Sequence, residues 1–180
     1  MRVKRCKICK KAIENPRFGQ VVCSYPCSTE LLKQKKQKAW NKEKKILKES
    51  IKPRRVHLRE LQVVFNTYIR LRDKTLPCIS CGSIKQDIKY DAGHFYSVGA
   101  YPNLRFNEDN VHKQCSNNCN KHLSGNIHEY RPRLIERIGQ ERFNKLEQDK
   151  NEPLRLTLLQ IKEKMTYYKK EIKKLKEVHH

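Results

Sequence analysis

Apolar residues recur every three or four positions through Leu58, Leu61, Phe65, Tyr68 and Leu71, which predicts an amphipathic helix over roughly 54–73 with one face on a core. Pro53 restarts the chain just ahead of it. On the polar side, Arg54, Arg55, Arg59, Arg70 and Arg72 are placed to decorate a surface facing a polyanion. Two shorter helices are expected over 130–138 and 140–146, broken at Gly139. Pro153 then opens a long final helix, in which Leu158, Ile161, Met165, Tyr168, Ile172 and Leu175 form an a/d seam. That seam suits either pairing of two chains or packing onto the chain's own helices, and the pattern leaves both open. Over 29–50 the residues are good helix formers with Lys at nearly every second position, and only Leu31, Leu32, Trp40, Ile46 and Leu47 are strongly apolar. This predicts a solvated basic arm without a broad buried face. His179 and His180 are expected to be disordered and carry no inference.

Composition sharpens the picture. The chain has 180 residues, enough for one medium domain or two small ones, but only 37% are hydrophobic and 33% are charged. A single large apolar core is therefore excluded, and something else must staple the fold. The formal net charge of +22 repels itself unless a polyanion lies alongside, so nucleic acid is the first candidate partner. No run of about 18 apolar residues occurs, so no membrane association through a spanning helix is expected. The basic start is not followed by an apolar stretch with a cleavage site, so the expected compartment is a reducing cytoplasm.

Eight cysteines in such a compartment point to metal ligands ahead of disulfides. Cys6, Cys9, Cys23 and Cys27 make one quartet, and Cys78, Cys81, Cys115 and Cys119 make another. Each quartet contains a pair separated by two residues and a pair separated by three, both within the range of structural Zn²⁺ sites. Eight thiolates against two dications remove only four charges from the surplus, so the polyanion argument stands. The organisation expected is a zinc module over 1–30, a basic helical arm over 31–53, a zinc-bracketed domain over 54–150 and a C-terminal helix over 151–180. Lys35, Lys36, Lys38, Lys44 and Lys45 on the arm, with Arg54 and Arg55 beyond it, are the candidate DNA contacts. The fold class expected is α+β.

Between the two halves of the second quartet lie 33 residues holding a Gly-His pair, Gly93-His94, and an Asn, Asn110, five residues ahead of Cys115. A bound metal at the bracket would make this insert rigid without a large core. The arrangement resembles the HNH, or ββα-metal, nucleases. Further runs along the chain are CKIC, RDKTLPCISCG, DAGHFYS, LRFNEDNVHKQC, CNKHLSGN and EYRPRLIERIGQE. Through them nearly the whole chain resembles the NinG (Rap) family of lambdoid phage recombination endonucleases.

The resemblance implies an HNH-like nuclease core that hydrolyses branched DNA, such as Holliday junctions and D-loops, in the host cytoplasm during phage recombination. It also implies possible phage or host recombination proteins as partners. His94 matches the general base, Asn110 the residue that orients its ring through the loop backbone, and Asn120 the last metal-ligand position. The implied catalytic cation is Mg²⁺ or Mn²⁺, separate from structural zinc. The residue types agree with that chemistry, since a neutral imidazole accepts protons near pH 7 and hard oxygen donors suit such a cation. One departure is Gly93, where the family of nucleases places a ligand. Asp91 is the substitute expected, provided that a bulge at Gly93 turns residues 91 and 94 to one side. His122 is a further candidate ligand. His57, His112 and His128 are assigned structural or surface places, and Glu108 and Asp109 are read as loop acids. A non-enzymatic zinc protein that binds nucleic acid is the alternative, as is an adaptor acting through its C-terminal helix.

Overall fold

The computed structural model describes residues 3–178; His179 and His180 lie outside them. The chain divides into two units, Met1–Lys52 and Pro53–His180.

In the first unit, a tight hairpin is closed by a bridge between Arg5 and Ala12 and leads to α1 (Tyr25–Ser50). The helix begins four residues earlier than the composition of the arm implied. Pro26 fits its first turn, where a missing N–H costs nothing and a fixed φ is already helical. Cys27 is thereby carried into that turn. None of the 26 residues of α1 is buried, as the sparse apolar positions required.

The second unit is built around one antiparallel pair, β1 (Tyr90–His94) and β2 (Val111–Cys115). α2 (Arg54–Arg72) precedes it, and a tight turn of helix, Ser116–His122, follows directly. α3 (Ile127–Ile138), α4 (Gln140–Asp149) and α5 (Leu158–Val178) complete the unit. The strands pair in regular register, from Tyr90 with Cys115 to His94 with Val111.

Strand alternation gives this small sheet two cores. On one face Ala92 and Val111 pack with Leu58, Leu61, Phe65 and Ile69 of α2, together with Phe106 and Ile161 and Tyr168 of α5. Phe65 sits edge-on to Phe106 at 5.8 Å and to Tyr168 at 5.0 Å, the offset geometry that aromatic rings prefer. On the other face Tyr130 of α3 donates its hydroxyl to the Gly93 carbonyl at 3.1 Å and lies 3.3 Å from His112 Nδ1. Around it Ile79, Phe95, Leu104, Leu134, Phe143 and Leu146 form the second cluster. Gly139 separates α3 from α4 at φ 85°, a conformation that glycine adopts without strain.

The final helix differs from expectation at its start. Pro153 does not open it; residues 153–157 are not helical, and α5 begins at Leu158. Thr157 and Gln160 cap it reciprocally: the Gln160 N–H donates to Thr157 Oγ1 at 3.2 Å, and the Thr157 N–H donates to Gln160 Oε1 at 2.8 Å. Such a box satisfies two donors that would otherwise be orphaned at the helix end. The apolar seam is filled from within the chain, because Ile161, Met165, Tyr168, Ile172 and Leu175 all pack into the α2 cluster. Leu158 alone of the seam stays largely exposed. Among the described residues no helix is long and apolar enough to cross a membrane.

Candidate metal centres and active site

Each cysteine quartet comes together. Within each, the four sulfurs lie within 4.8 Å of one another. Cys9 and Cys23 are 3.4 Å apart, Cys23 and Cys27 3.7 Å, and Cys81 and Cys115 3.5 Å. Tetrahedral zinc with Zn–S of about 2.3 Å would hold sulfurs about 3.8 Å apart, so both quartets fit a Zn²⁺ ion.

The two centres use the same local turn. The Cys6 N–H donates to the Lys11 carbonyl and the Lys10 N–H to the Cys6 carbonyl; Cys78 pairs likewise with Ser83, and Gly82 with Cys78. In both turns the residue after the second cysteine has positive φ, Lys10 at 62° and Gly82 at 72°. Such turns aim amide N–H groups at sulfur. Burial raises the Cys6 thiol, yet the amides of Cys9, Ile8 and Cys23 bring it down to about 6. Cys23 is pushed up to about 11, chiefly by its hydrogen bond with Cys9. At the second centre burial likewise opposes the drop at Cys78, which the amides of Cys81, Cys115 and Ser80 produce, while burial pushes Cys119 up to about 12. Four adjacent sulfurs cannot all ionise without a cation, which a bound divalent metal would supply.

The second centre also ties the sheet to its surroundings. Cys115 ends β2, and Cys119 sits in the helical turn that follows. The Ile79 N–H donates to the Lys113 carbonyl at 3.0 Å, which fixes the Cys78 turn to the strand.

His94, the last residue of β1, lies on the α2 side of the sheet. Its Nε2 is 3.1 Å from the Arg105 carbonyl. A carbonyl only accepts, so Nε2 carries the proton and Nδ1 is left with the lone pair. Burial lowers the pKa of His94 and the Arg105 charge adds to the fall, against the opposing pull of the Arg105 and Ala92 backbone carbonyls. The ring is therefore neutral at neutral pH.

Asn110 is fully buried and clamps the loop that joins the strands. Its Oδ1 accepts from the Tyr96 N–H at 2.7 Å, and its Nδ2 donates to the Tyr96 and Leu104 carbonyls at 3.0 and 3.1 Å. Leu104 adjoins the residue that holds His94, so one amide fixes both ends of the loop.

The bulge required at Gly93 is absent. β1 runs regularly through it, with Gly93 opposite His112 and Asp91 opposite Gln114. Asp91 and His94 consequently occupy opposite faces. A Cβ at position 93 would lie within 2.9 Å of Gln114 Cβ and Cδ, which explains the glycine. Asp91 and Asn120 do meet: Asp91 Oδ2 accepts from Asn120 Nδ2 at 3.2 Å and from Ser116 Oγ at 2.6 Å. This pair offers hard oxygen donors but stands away from the face of His94. His122 is exposed on the turn. Neither Asp91 nor His122 joins a cluster of three or more potential metal ligands among the described residues. The assigned residues thus do not assemble a cation site around His94.

Of the candidate DNA contacts, Lys35, Lys36, Lys38, Lys44 and Lys45 are exposed on α1, and Arg55 is exposed on α2. Arg54 has a structural bond as well, from Nε to the Leu156 carbonyl at 3.1 Å. Arg72 does not face outward as its place in the helix pattern suggested. It is held by Asp73 at 2.7 Å and by the carbonyls of Glu108 and Val111. His112 is a neutral internal strut, pushed down to about 3 chiefly by burial. Glu108 accepts from the Tyr68 hydroxyl at 2.9 Å, and Asp109 pairs with Arg142. Pattern reading missed Gln62 and Arg105, which join at 2.5 Å beside His94 from positions 43 residues apart. No periodicity links them.

The comparisons with known proteins extend over nearly the whole chain. A family model described as Bacteriophage Lambda NinG protein matches residues 1–178. Protein ninG of Escherichia phage lambda is 37% identical over 193 residues, covering 96% of this chain and 93% of that protein. Protein ninG of Escherichia phage 933W is 37% identical over 166 residues, covering 82% of each chain, and that of Salmonella phage P22 is 37% identical over 166 residues, covering 81% of each. No solved structure matches. The chain belongs to the NinG family of lambdoid phage proteins.

Proposed function

We propose that the protein is a metal-dependent endodeoxyribonuclease that cuts branched DNA in the host cytoplasm during phage recombination. The observation that carries this reading is the state of His94: neutral, with Nε2 held by the Arg105 carbonyl and the ring's lone pair on Nδ1. The sheet supports it, since two antiparallel strands run directly into a short helical turn, the order of a ββα-metal unit. In this reading His94 takes the proton of the attacking water, and Asn110 keeps the Arg105 carbonyl where the imidazole needs it. Both cysteine centres hold structural zinc. A divalent cation, Mg²⁺ or Mn²⁺, would stabilise charge on the phosphate and the departing oxygen, and substrate oxygens commonly supply part of its coordination.

The basic arm fits the same reading, because Lys35, Lys36, Lys38, Lys44 and Lys45 would contribute salt-dependent phosphate contacts. The preference for junctions rests on the family resemblance. Pairing of two chains would need a face other than the α5 seam, which α2 already fills. To test the function, the zinc-loaded protein is incubated with labelled four-way junction, D-loop and linear duplex DNA, with and without Mg²⁺ or Mn²⁺. Divalent-dependent cutting of the branched substrates is expected. Binding without cutting under every divalent ion would favour the non-enzymatic zinc protein instead.

A further inference from the structure

We propose that Arg105 and Arg59 form the subsite that receives a DNA phosphodiester beside His94, with Gln62 as the residue that positions Arg105. The inference rests on the nuclease reading and names the groups that would bring the substrate to its base.

Arg105 has two parts with separate partners. Its carbonyl holds His94 Nε2 at 3.1 Å, while its side-chain Nε donates to Gln62 Oε1 at 2.5 Å. Gln62 is itself steadied by donating to Asn66 Oδ1 at 2.6 Å. Arg59, Gln62 and Asn66 lie three and four residues apart, so they share one face of α2. The guanidinium of Arg105 rests 5.3 Å from the Phe106 ring centroid. Burial lowers the pKa of Arg105, and the charge of Arg59 lowers it further.

Among the described residues, neither Arg59 nor Arg105 has a carboxylate partner. Arg72 pairs with Asp73 and Arg142 with Asp109, whereas Arg105 is half-buried with only a neutral amide and an aromatic ring beside its guanidinium. Two neighbouring guanidinium groups without an acid, one of them held by a neutral amide, have an unmet demand for an anion. An oxygen-rich monoanion between them would relieve their repulsion. A phosphodiester is that anion in DNA, and docking there would place it beside the His94 ring, whose pKa the Arg105 charge already lowers.

The test uses the full zinc-loaded chain and four-way junctions in which a neutral methylphosphonate replaces one phosphate at a time. Binding is measured without divalent ion. In the parent protein, one replacement should weaken binding about tenfold, the scale of one charge-assisted hydrogen bond. The double variant Arg59→Gln, Arg105→Gln should lose sensitivity at that position alone, with circular dichroism and zinc content unchanged. Arg105→Lys should restore part of it, and Gln62→Ala should reduce it at the same position. Cutting at that phosphodiester would complete the case. If parent and double variant respond alike at every position, the subsite is refuted. If the sensitivity is there but no divalent ion supports cutting, the subsite stands and the nuclease reading fails.

Discussion

Gly93→Ala probes the sheet where the nuclease likeness and this chain part company. The added Cβ would stand 2.9 Å from two Gln114 carbons, and closer still to Oε1, whereas ordinary carbon contacts are about 3.5–4.0 Å. Gln114 cannot swing away freely, because it is fully buried and its amide donates to Ser80 Oγ at 2.6 Å and to the Gly125 carbonyl. Overpacking of this kind costs about 1–3 kcal/mol, and each strained hydrogen bond adds about 1 kcal/mol. The stiffer unfolded chain gives back about 0.4–1 kcal/mol. The net loss expected is about 2–5 kcal/mol, or about 10–20 °C in melting temperature for a unit of this size. Gly99→Ala is the control, since a Cβ there meets nothing within 4 Å. Urea and thermal unfolding of both variants, zinc-loaded, make the comparison. Adding Gln114→Ala to Gly93→Ala should cost less than the two single changes together, by about 1 kcal/mol or more. A Gly93→Ala protein as stable as the parent would refute the packing argument.

Three further outcomes are expected. Chelator and alkylating agent should strip and label the first cysteine centre before the second, because only Cys6 of the first is buried, whereas only Cys81 of the second is exposed; mass spectrometry that finds the reverse order would contradict this. Replacing Lys35, Lys36, Lys38, Lys44 and Lys45 with Gln should weaken DNA binding and flatten its log-log salt dependence by about 0.9 per lost duplex contact, and an unchanged slope would dismiss the arm as a DNA contact. For Asp73, burial opposes ionisation but Arg72 and the Lys113 N–H hold its carboxyl below the usual range. Its contribution is thus complete above an unfolded value of about 3.9 and is lost as pH falls through the lower folded value. Asp73→Asn should be less stable by about 3 kcal/mol at neutral pH and converge on the parent in acid, as urea midpoints across pH would show.

Much of this structure is legible where one element's own spacing decides the outcome. The three- and four-residue recurrence of Leu58, Leu61, Phe65 and Tyr68 marks α2, and Gly139 marks the break between α3 and α4. The cysteine spacings announce both candidate metal centres. Elsewhere competing local signals misled. Pro153 satisfies a rule for helix starts, but Thr157 and Gln160 form the actual cap, so the helix waits four residues. The seam of α5 could not reveal its partner, because α2 carries an equally suitable apolar face 100 residues away in sequence. Asp91 illustrates the remaining limit. A strand's alternation is readable, but Gln114 filling the space over Gly93 is a cross-strand fact, and it removes the bulge that the assignment needed. The contact of Arg105 with Gln62 and His94 is of the same kind, a meeting of three segments that no single pattern contains.

The most direct test is the cutting of a four-way junction by His94→Ala, with Mg²⁺ or Mn²⁺ present and free imidazole added in a second series. Proton transfer by a positioned side chain contributes about 10²–10⁴-fold, so the variant should lose about that much rate while it retains zinc and junction binding. Imidazole should return part of the loss. A variant that cuts at the parent rate would contradict the assignment of His94 as the base.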